Sequence, residues 1–165
     1  MKKVLAELEK RQKQLEYLAY LTSSSLNDIS LDEHFPQLLN ILKQSLGFTY
    51  HSIFRLDDDK QYLVIRFTGF LPDWYMEELS KKIFIKVGDA SVGRAVATKQ
   101  PVTINTANLD PRFKSITPIA NQTGYRSLTC YPMIGKLKTL GGFCAYSQYE
   151  NIFTLQDTQF FMTCA

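Results

Sequence analysis

The chain has 165 residues, enough for one domain with a single sizeable core, and at 45% hydrophobic and 21% charged residues it has an ordinary globular composition. A net charge of +3, with lysines and arginines spread along the chain, is too weak and too dispersed for a nucleic-acid footprint. No apolar run reaches the roughly 20 residues that span a bilayer, no signal-peptide core opens the chain, and three widely spaced cysteines make neither a disulfide framework nor a metal-ligand pattern, so the cytoplasm is the expected compartment.

The first 26 residues lack Gly and Pro and are rich in helix formers. Leu5, Leu8, Gln12, Leu15, Ala19, Thr22 and Leu26 recur at steps of three and four, the a/d spacing of a coiled coil. Such a helix either packs on its own domain or dimerises, and its length ahead of the globular pattern favours a dimer seam. The expected organisation is a signalling and dimerisation helix over 1–26 and a domain over 27–165.

A second helix is predicted around 32–46, with Leu38, Leu39, Leu42 and Leu46 on one face and Gly47 as its stop. "HSIFRL" (51–56) and "YLVIRFTG" (62–69) flank a polar "DDDK" turn and predict a hairpin. "LPDWYMEELSKK" predicts a short helix with Pro72 in its first turn, and "IFIKV" (83–87) a strand ended by Gly88. "ASVGRAVATKQ" (90–100) predicts a helix capped by Ser91, and "PVTIN" (101–105) a strand. Two very short helices are expected within 111–123, the second started by Thr117 and Pro118 and stopped by Gly124. "GYRSLTCYPMIGKLKTLGGFCAYS" (124–147) predicts a hairpin turning about Leu137, which sets Cys130 opposite Cys144. A last helix begins at Thr154 and is still apolar at Ala165, which reads as a segment of a longer protein. The sum is an α+β fold: a six-stranded, mainly antiparallel sheet flanked by helices.

Residues that carry chemistry are sparse. His34 and His51 have no Cys, Asp or Glu at metal spacing and read as surface or boundary residues; no metal site is expected. Asp57, Asp58 and Asp59 lack the alternation of a calcium loop and read as a solvated turn. "GDASVG" (88–93) reads as a strand-to-helix turn rather than an anion site, since no basic residue sits within it. Cys130 and Cys144 read as buried thiols rather than a disulfide, because facing Cβ atoms lie about 4.5–5.5 Å apart and an S–S bond prefers about 3.8 Å.

Particular segments resemble the GAF domain family. "GDASVGRAVATKQPVTINTANLDPRF" (88–113) is similar to its helix–"G-R-x-A-x-T-x-x-P-V"–"D-P-R-F" segment, "TGYRSLTCYPMIGKLKTLGGFCAYS" (123–147) to its "T-G-x-R-S-L-L-C-x-P-L" hairpin, and "FTLQD" (153–157) to the "F-T-x-x-D" of its closing helix. The resemblance runs from about Leu26 to Ala165 and implies a GAF/PAS-like fold and a sensory or dimerising, non-enzymatic role. It points to a cytoplasmic sensor histidine kinase or cyclic-dinucleotide enzyme of a two-component or similar signalling system.

The family's known ligands fit this chain unevenly. Ser115 and Ile116 stand where bilin-binding members carry Cys-His, so no bilin is expected; haem-binding members need a pocket histidine, and with only His34 and His51 available no haem is expected. Phe153 and Asp157 match the cyclic-nucleotide signature, whereas Ser147, Gln148 and Thr158 break it. Under a cap over 106–126, the candidate ligand-lining residues are Phe113, Ile116, Ile119, Tyr125 and Arg126, with Arg94, Trp74 and Tyr75 as alternatives. The competing reading, which apolar residues at helical or strand spacing favour, makes the aromatics and isoleucines core and has Arg126 cap a helix end or pair with Asp110. Arg126 is the candidate clamp for an anionic group. The expectation is a homodimer joined through its terminal helices that senses a small molecule, with a ligand-free dimerisation scaffold as the alternative.

Overall fold

The computed structural model describes residues 2–23, 39–40, 42–44, 47–82, 85–107, 109–111, 117–135 and 138–164. The chain divides into two units, residues 1–47 with Cys164 and residues 48–163 with Ala165. In the first, α1 runs over Lys2–Ser23. Its surface carries i,i+4 pairs, Gln12 with Glu16 (3.1 Å) and Glu7 with Arg11 (3.6 Å). Leu5, Leu8 and Leu15 of the predicted seam are exposed, while Leu26 lies outside the described residues. Much of the helix predicted over 32–46 also lies outside them; residues 39–40 and 42–44 are helical, with Leu39 and Leu42 buried.

The second unit is built on a six-stranded sheet of order β3–β2–β1–β6–β5–β4, every pair antiparallel. β1 is Tyr50–Leu56, β2 Tyr62–Gly69, β3 Ile85–Lys86, β4 Val102–Ile104, β5 Ser127–Ile134 and β6 Thr139–Ser147. The two hairpins form because polar turns interrupt β-branched and aromatic runs. Asp57 Oδ1 accepts from the backbone N–H groups of Gln61 (2.8 Å) and Tyr62 (3.0 Å), tying off the β1–β2 turn, while Asp58 and Asp59 face solvent. β5 and β6 pair with Cys130 opposite Cys144, the register expected from the sequence. α2 spans Asp73–Lys82; Pro72 precedes it, and the Pro72 carbonyl accepts from Tyr75 N (2.9 Å). α3 is Ala90–Thr98, α4 Thr117–Thr123 and α5 Leu155–Cys164. Gly124, at φ +81°, stops α4 as predicted and donates to the Ala120 carbonyl at 2.8 Å. The first of the two short helices expected in 111–123 lies largely outside the described residues.

Strand alternation sends residues to two faces of the sheet, and the faces differ in chemistry. One packs Phe54, Leu128, Cys130, Cys144 and Tyr146 with Val92, Ala95 and Val96 of α3 and Tyr75 of α2. The other is aromatic. Phe161 of α5 stacks on Tyr131 (4.1 Å between ring centroids) and Phe143 (4.7 Å). α5 starts in a capping box: the Thr154 N–H and hydroxyl both donate to Asp157 Oδ2 (3.1 and 2.8 Å), and Asp157 N donates back to Thr154 Oγ1 (3.2 Å).

His51 corrects the sequence reading. It is no boundary residue: at 1% exposure it lies on the aromatic face, stacked between Phe67 (5.7 Å) and Phe143 (6.0 Å), with Phe48 and Phe70 edge-on. Strand periodicity put it next to apolar neighbours, and its polarity outweighed that signal in the sequence. Gly69, its partner in the β1–β2 register, makes room for the ring, because a Cβ there would meet His51 Cε1 at 1.9 Å. Gly69→Ala is therefore expected to cost about 1–3 kcal/mol by overpacking. Most of that cost should vanish in a His51→Ala background, measured as non-additive urea unfolding free energies; additive losses would place the strain elsewhere.

Candidate functional site

A small cavity lies between the hydroxyl-bearing face of the sheet and the helices α2 and α3. Its wall takes Phe54 from β1, Tyr75 from α2 and Ile85 from β3. Ala90, Ser91 and Val92 come from the start of α3, and Tyr125, Leu128, Cys130, Cys144 and Tyr146 from the β5–β6 side. The free space admits water centres over about 20 Å³, room for one or two waters, against the roughly 300 Å³ and upward of sites for drug-sized ligands.

Each polar group reaches the cavity for a local reason. Tyr146 sits at the middle of the sheet, where β6 pairs with β1 on one side and β5 on the other. Its hydroxyl lies 2.6 Å from Ser52 Oγ, two positions along β1 from Phe54 and on the same face. Tyr125 packs its ring on Tyr146 at 4.8 Å, and Tyr75 meets Tyr146 edge-on at 6.3 Å. Burial pushes the pKa of all three tyrosines above the usual phenol value; in Tyr75 hydrogen bonding to Tyr146 and Tyr125 works in the opposite direction. All three therefore stay protonated around neutral pH and can donate.

The start of α3 contributes the least satisfied group. Gly88 N donates to the Gly93 carbonyl (2.8 Å) and Asp89 N to that of Lys86 (2.9 Å), folding the loop tightly. Ala90 follows in the left-handed region at φ 48°, an uncommon conformation for a residue with a Cβ. Ser91 is not the N-cap that the sequence predicted: Asp89 holds that position and makes no side-chain hydrogen bond to the helix. Ser91 instead lies one residue inside α3, lines the cavity at 4% exposure, and its Oγ has no hydrogen-bond partner among the described residues.

Of the predicted ligand residues, the structure brings Tyr75 and Tyr125 together in the wall. Trp74 and Ile119 are half-buried and pack against the same core. Arg94 is half-buried on α3 and Arg126 is exposed at the head of β5; neither lines the cavity. Arg126 works instead through its backbone, donating to the Ser147 carbonyl (2.7 Å) and accepting from Ala107 N (2.7 Å). Phe113 and Ile116 lie outside the described residues. Sequence reasoning missed Ser91 and Tyr146 as wall residues. The signal for Tyr146 was its even spacing from Cys144, which puts both on one sheet face.

A larger hollow, about 400 Å³, opens between the two hairpin turns. Arg55, Asp57, Asp58, Lys60 and Lys138 line it with charges of both signs, and the Asp57 carboxylate is already committed to its own turn, so it gathers no converging set of donors. Among the described residues, no three His, Cys, Asp or Glu side chains stand together as a metal site, and no helix is long and apolar enough to cross a membrane.

Comparison with known proteins places the fold. No curated protein sequence matches the chain. The GAF domain of a phosphoenolpyruvate-protein phosphotransferase (ptsP) from Coxiella burnetii superposes with a TM-score of 0.72 at 20% identity, covering 93% of this chain and 88% of that one. A free methionine-R-sulfoxide reductase from Neisseria meningitidis, in complex with its substrate, gives 0.66 at 16%, covering 99% and 85%. A Staphylococcus aureus NreA protein mutated in its nitrate-binding site gives 0.57 at 16%, covering 71% and 85%. The profile described as "GAF domain" matches residues 28–165, and with the β3–β2–β1–β6–β5–β4 sheet this shows that the chain belongs to the GAF domain family.

Proposed function

We propose that this GAF domain is a non-enzymatic sensor of a small hydrogen-bond acceptor, bound in the cavity between Ser91 and the tyrosine hydroxyls. One observation carries the reading: the Ser91 hydroxyl is buried against the cavity without a partner, at a helix start that its N-cap side chain leaves uncapped. A buried donor left unsatisfied costs roughly 1–3 kcal/mol, a cost that a bound acceptor would remove. The N-terminus of α3 also favours a negative ligand atom. The size of the cavity argues for a ligand of a few non-hydrogen atoms, nitrate being the natural first probe given the likeness to NreA. A cyclic nucleotide is too large for it.

The wall contains no His, Asp, Glu, Lys or Arg, which supports a binding role over a catalytic one. In this reading the domain works in the cytoplasm as part of a signalling protein, as a homodimer joined through its terminal helices. α1 supports the dimer with Leu5 (59% exposed), Leu8 (61%) and Leu15 (67%) at coiled-coil spacing. A ligand would act by its differential affinity for two dimer packings. The alternative, a ligand-free dimerisation scaffold, is favoured by the smallness of the cavity, since Tyr75, Tyr125 and Tyr146 fill most of the space with their own rings.

Three outcomes test this. Ser91→Ala should stabilise the ligand-free domain by about 1 kcal/mol while abolishing the thermal shift produced by nitrate or a panel of small oxyanions. A destabilised Ser91→Ala protein would mean that the hydroxyl already has a partner, and no shift from any small acceptor would favour the scaffold. Leu8→Asp should dissociate the dimer in sedimentation equilibrium without lowering the melting temperature of the domain; an unchanged dimer removes α1 from the interface.

The third outcome concerns pH. Unfolded, Cys130 ionises at its usual value of 9.0 and the tyrosines at 10.0, whereas in the folded domain all are raised. Above those values the unfolded chain releases protons that the folded one keeps. The stability these groups contribute is thus complete below about pH 9 and lost as the pH climbs beyond it. Urea unfolding at roughly pH 8 and pH 11 should show the drop, smaller in Tyr75→Phe; equal stabilities would contradict the burial of these groups.

A further inference from the structure

The same cavity wall holds a second pair of groups that ligand binding does not use. Cys130 and Cys144 face each other across the β5–β6 register, both free thiols, with Sγ atoms 2.7 Å apart. They are 2% and 1% exposed, and both line the cavity, so the space beside the sulfurs is open to a molecule the size of water or a little larger. The sequence argument against a bond rested on the Cβ separation typical of facing strand residues. The structure has largely closed that gap at the sulfurs, since an S–S bond of about 2.05 Å requires them to approach by only about 0.65 Å.

We propose that Cys130 and Cys144 form a dithiol oxidation site, converted by a small hydroperoxide to an intramolecular disulfide across the centre of the sheet. The thiolate of Cys144 attacks the terminal peroxide oxygen; the O–O bond breaks, hydrogen peroxide leaves its second oxygen as water, and Cys144 becomes a sulfenic acid. Cys130 then attacks the sulfenic sulfur, the S–O bond breaks, its oxygen leaves as a second water, and the S–S bond forms. Two thiol protons and two electrons pass to the peroxide, so hydrogen peroxide is reduced to two waters. Burial, and then the hydrogen bond and charge of Cys144, raise the pKa of Cys130, so its thiol gives up its proton to the departing sulfenic oxygen only as the S–S bond forms, which slows the resolving step. Burial also slows the first step relative to an exposed thiolate, and admission through the cavity selects small oxidants over large ones.

The pair is enclosed and the third cysteine, Cys164, lies far along the chain on α5, so the product is predicted to be internal and specific. The inference does not depend on whether the cavity takes a ligand.

The test uses the reduced full chain treated with a few equivalents of hydrogen peroxide, then denatured and alkylated. The free thiols should fall from three to one, with the loss of two hydrogen atoms in intact mass, a peptide joining Cys130 to Cys144, and full reversal by dithiothreitol. Oxidised glutathione, too large for the cavity, should act far more slowly on the folded protein. Cys130→Ser should leave a sulfenic acid on Cys144 that dimedone traps once the treated protein is denatured in its presence. Three alkylatable thiols after treatment would overturn the proposal, as would a bond involving Cys164 or equal rates with glutathione disulfide. If Cys130→Ser fails to fold, the peptide map of the unmodified chain decides the matter alone.

Discussion

The close seating of α3 on the sheet is the constraint on which the candidate site depends, and two glycines make it. A Cβ on Gly142, at the centre of β6, would meet Val92 Cγ2 at 2.5 Å; a Cβ on Gly93, within α3, would meet the Lys86 carbonyl at 2.4 Å. One removes bulk from the strand and the other from the helix, so the first turn of α3 lies directly over the sheet. Only at that distance can Ser91 share a wall with Tyr146 and the cysteines of the central strands. A helix held further out would leave a wider and wetter groove, with no reason for its first hydroxyl to be buried.

The two faces of the sheet divide the work. On one side, His51, Phe67, Phe143, Tyr131 and Phe161 interlock as stacked and edge-on rings, an arrangement that stabilises. On the other, hydroxyls and thiols replace part of the hydrocarbon: Ser52, Tyr75, Tyr125, Tyr146, Cys130, Cys144 and Ser91 are all buried there. Polar groups at that depth reduce stability unless each is paired. The aromatic face buries polar groups too, among them Ser127, Thr129 and Ser147, so what sets the other face apart is that its hydroxyls and thiols gather around one cavity.

The strands were legible because their signals are local: alternation in 51–56 and 62–69, the Asp turn, and the symmetry of the 124–147 hairpin predicted both pairings and the opposition of Cys130 and Cys144. The helices that fall on described residues were legible to within a turn. The site was less so, since its composition depends on which face of one element meets which face of another. Tyr75 and Tyr125 were expected there; Ser91 was read as a cap because a serine before an apolar run fits that rule, whereas the helix begins earlier, at Ala90 with Asp89 as its N-cap, and takes Ser91 inside. Arg126 attracted attention as a charge beside the cap, yet position 126 directs its backbone, not its guanidinium, into the structure. Charge is a poor guide where the useful donors are neutral.

Neutral donors also set what kind of sensor this cavity can support. A basic clamp attracts any anion and responds steeply to salt, whereas hydroxyls and a helix N-terminus discriminate by fit and by hydrogen-bond geometry. With pKa values raised by burial, the tyrosines keep their protons well past neutrality, so their donor capacity does not change across physiological pH. The cysteines follow the opposite logic: their reactivity depends on losing a proton, and burial raises the pKa of Cys130. One wall thus presents groups that act by retaining protons and a pair that acts by releasing them. Forming a bond between Cys130 and Cys144 would draw together two of the side chains that bound the cavity, directly beside Tyr146 on β6. If the wall takes a ligand as proposed, oxidation would reshape the space it occupies, and by linkage any effect of one event on the other would be reciprocal.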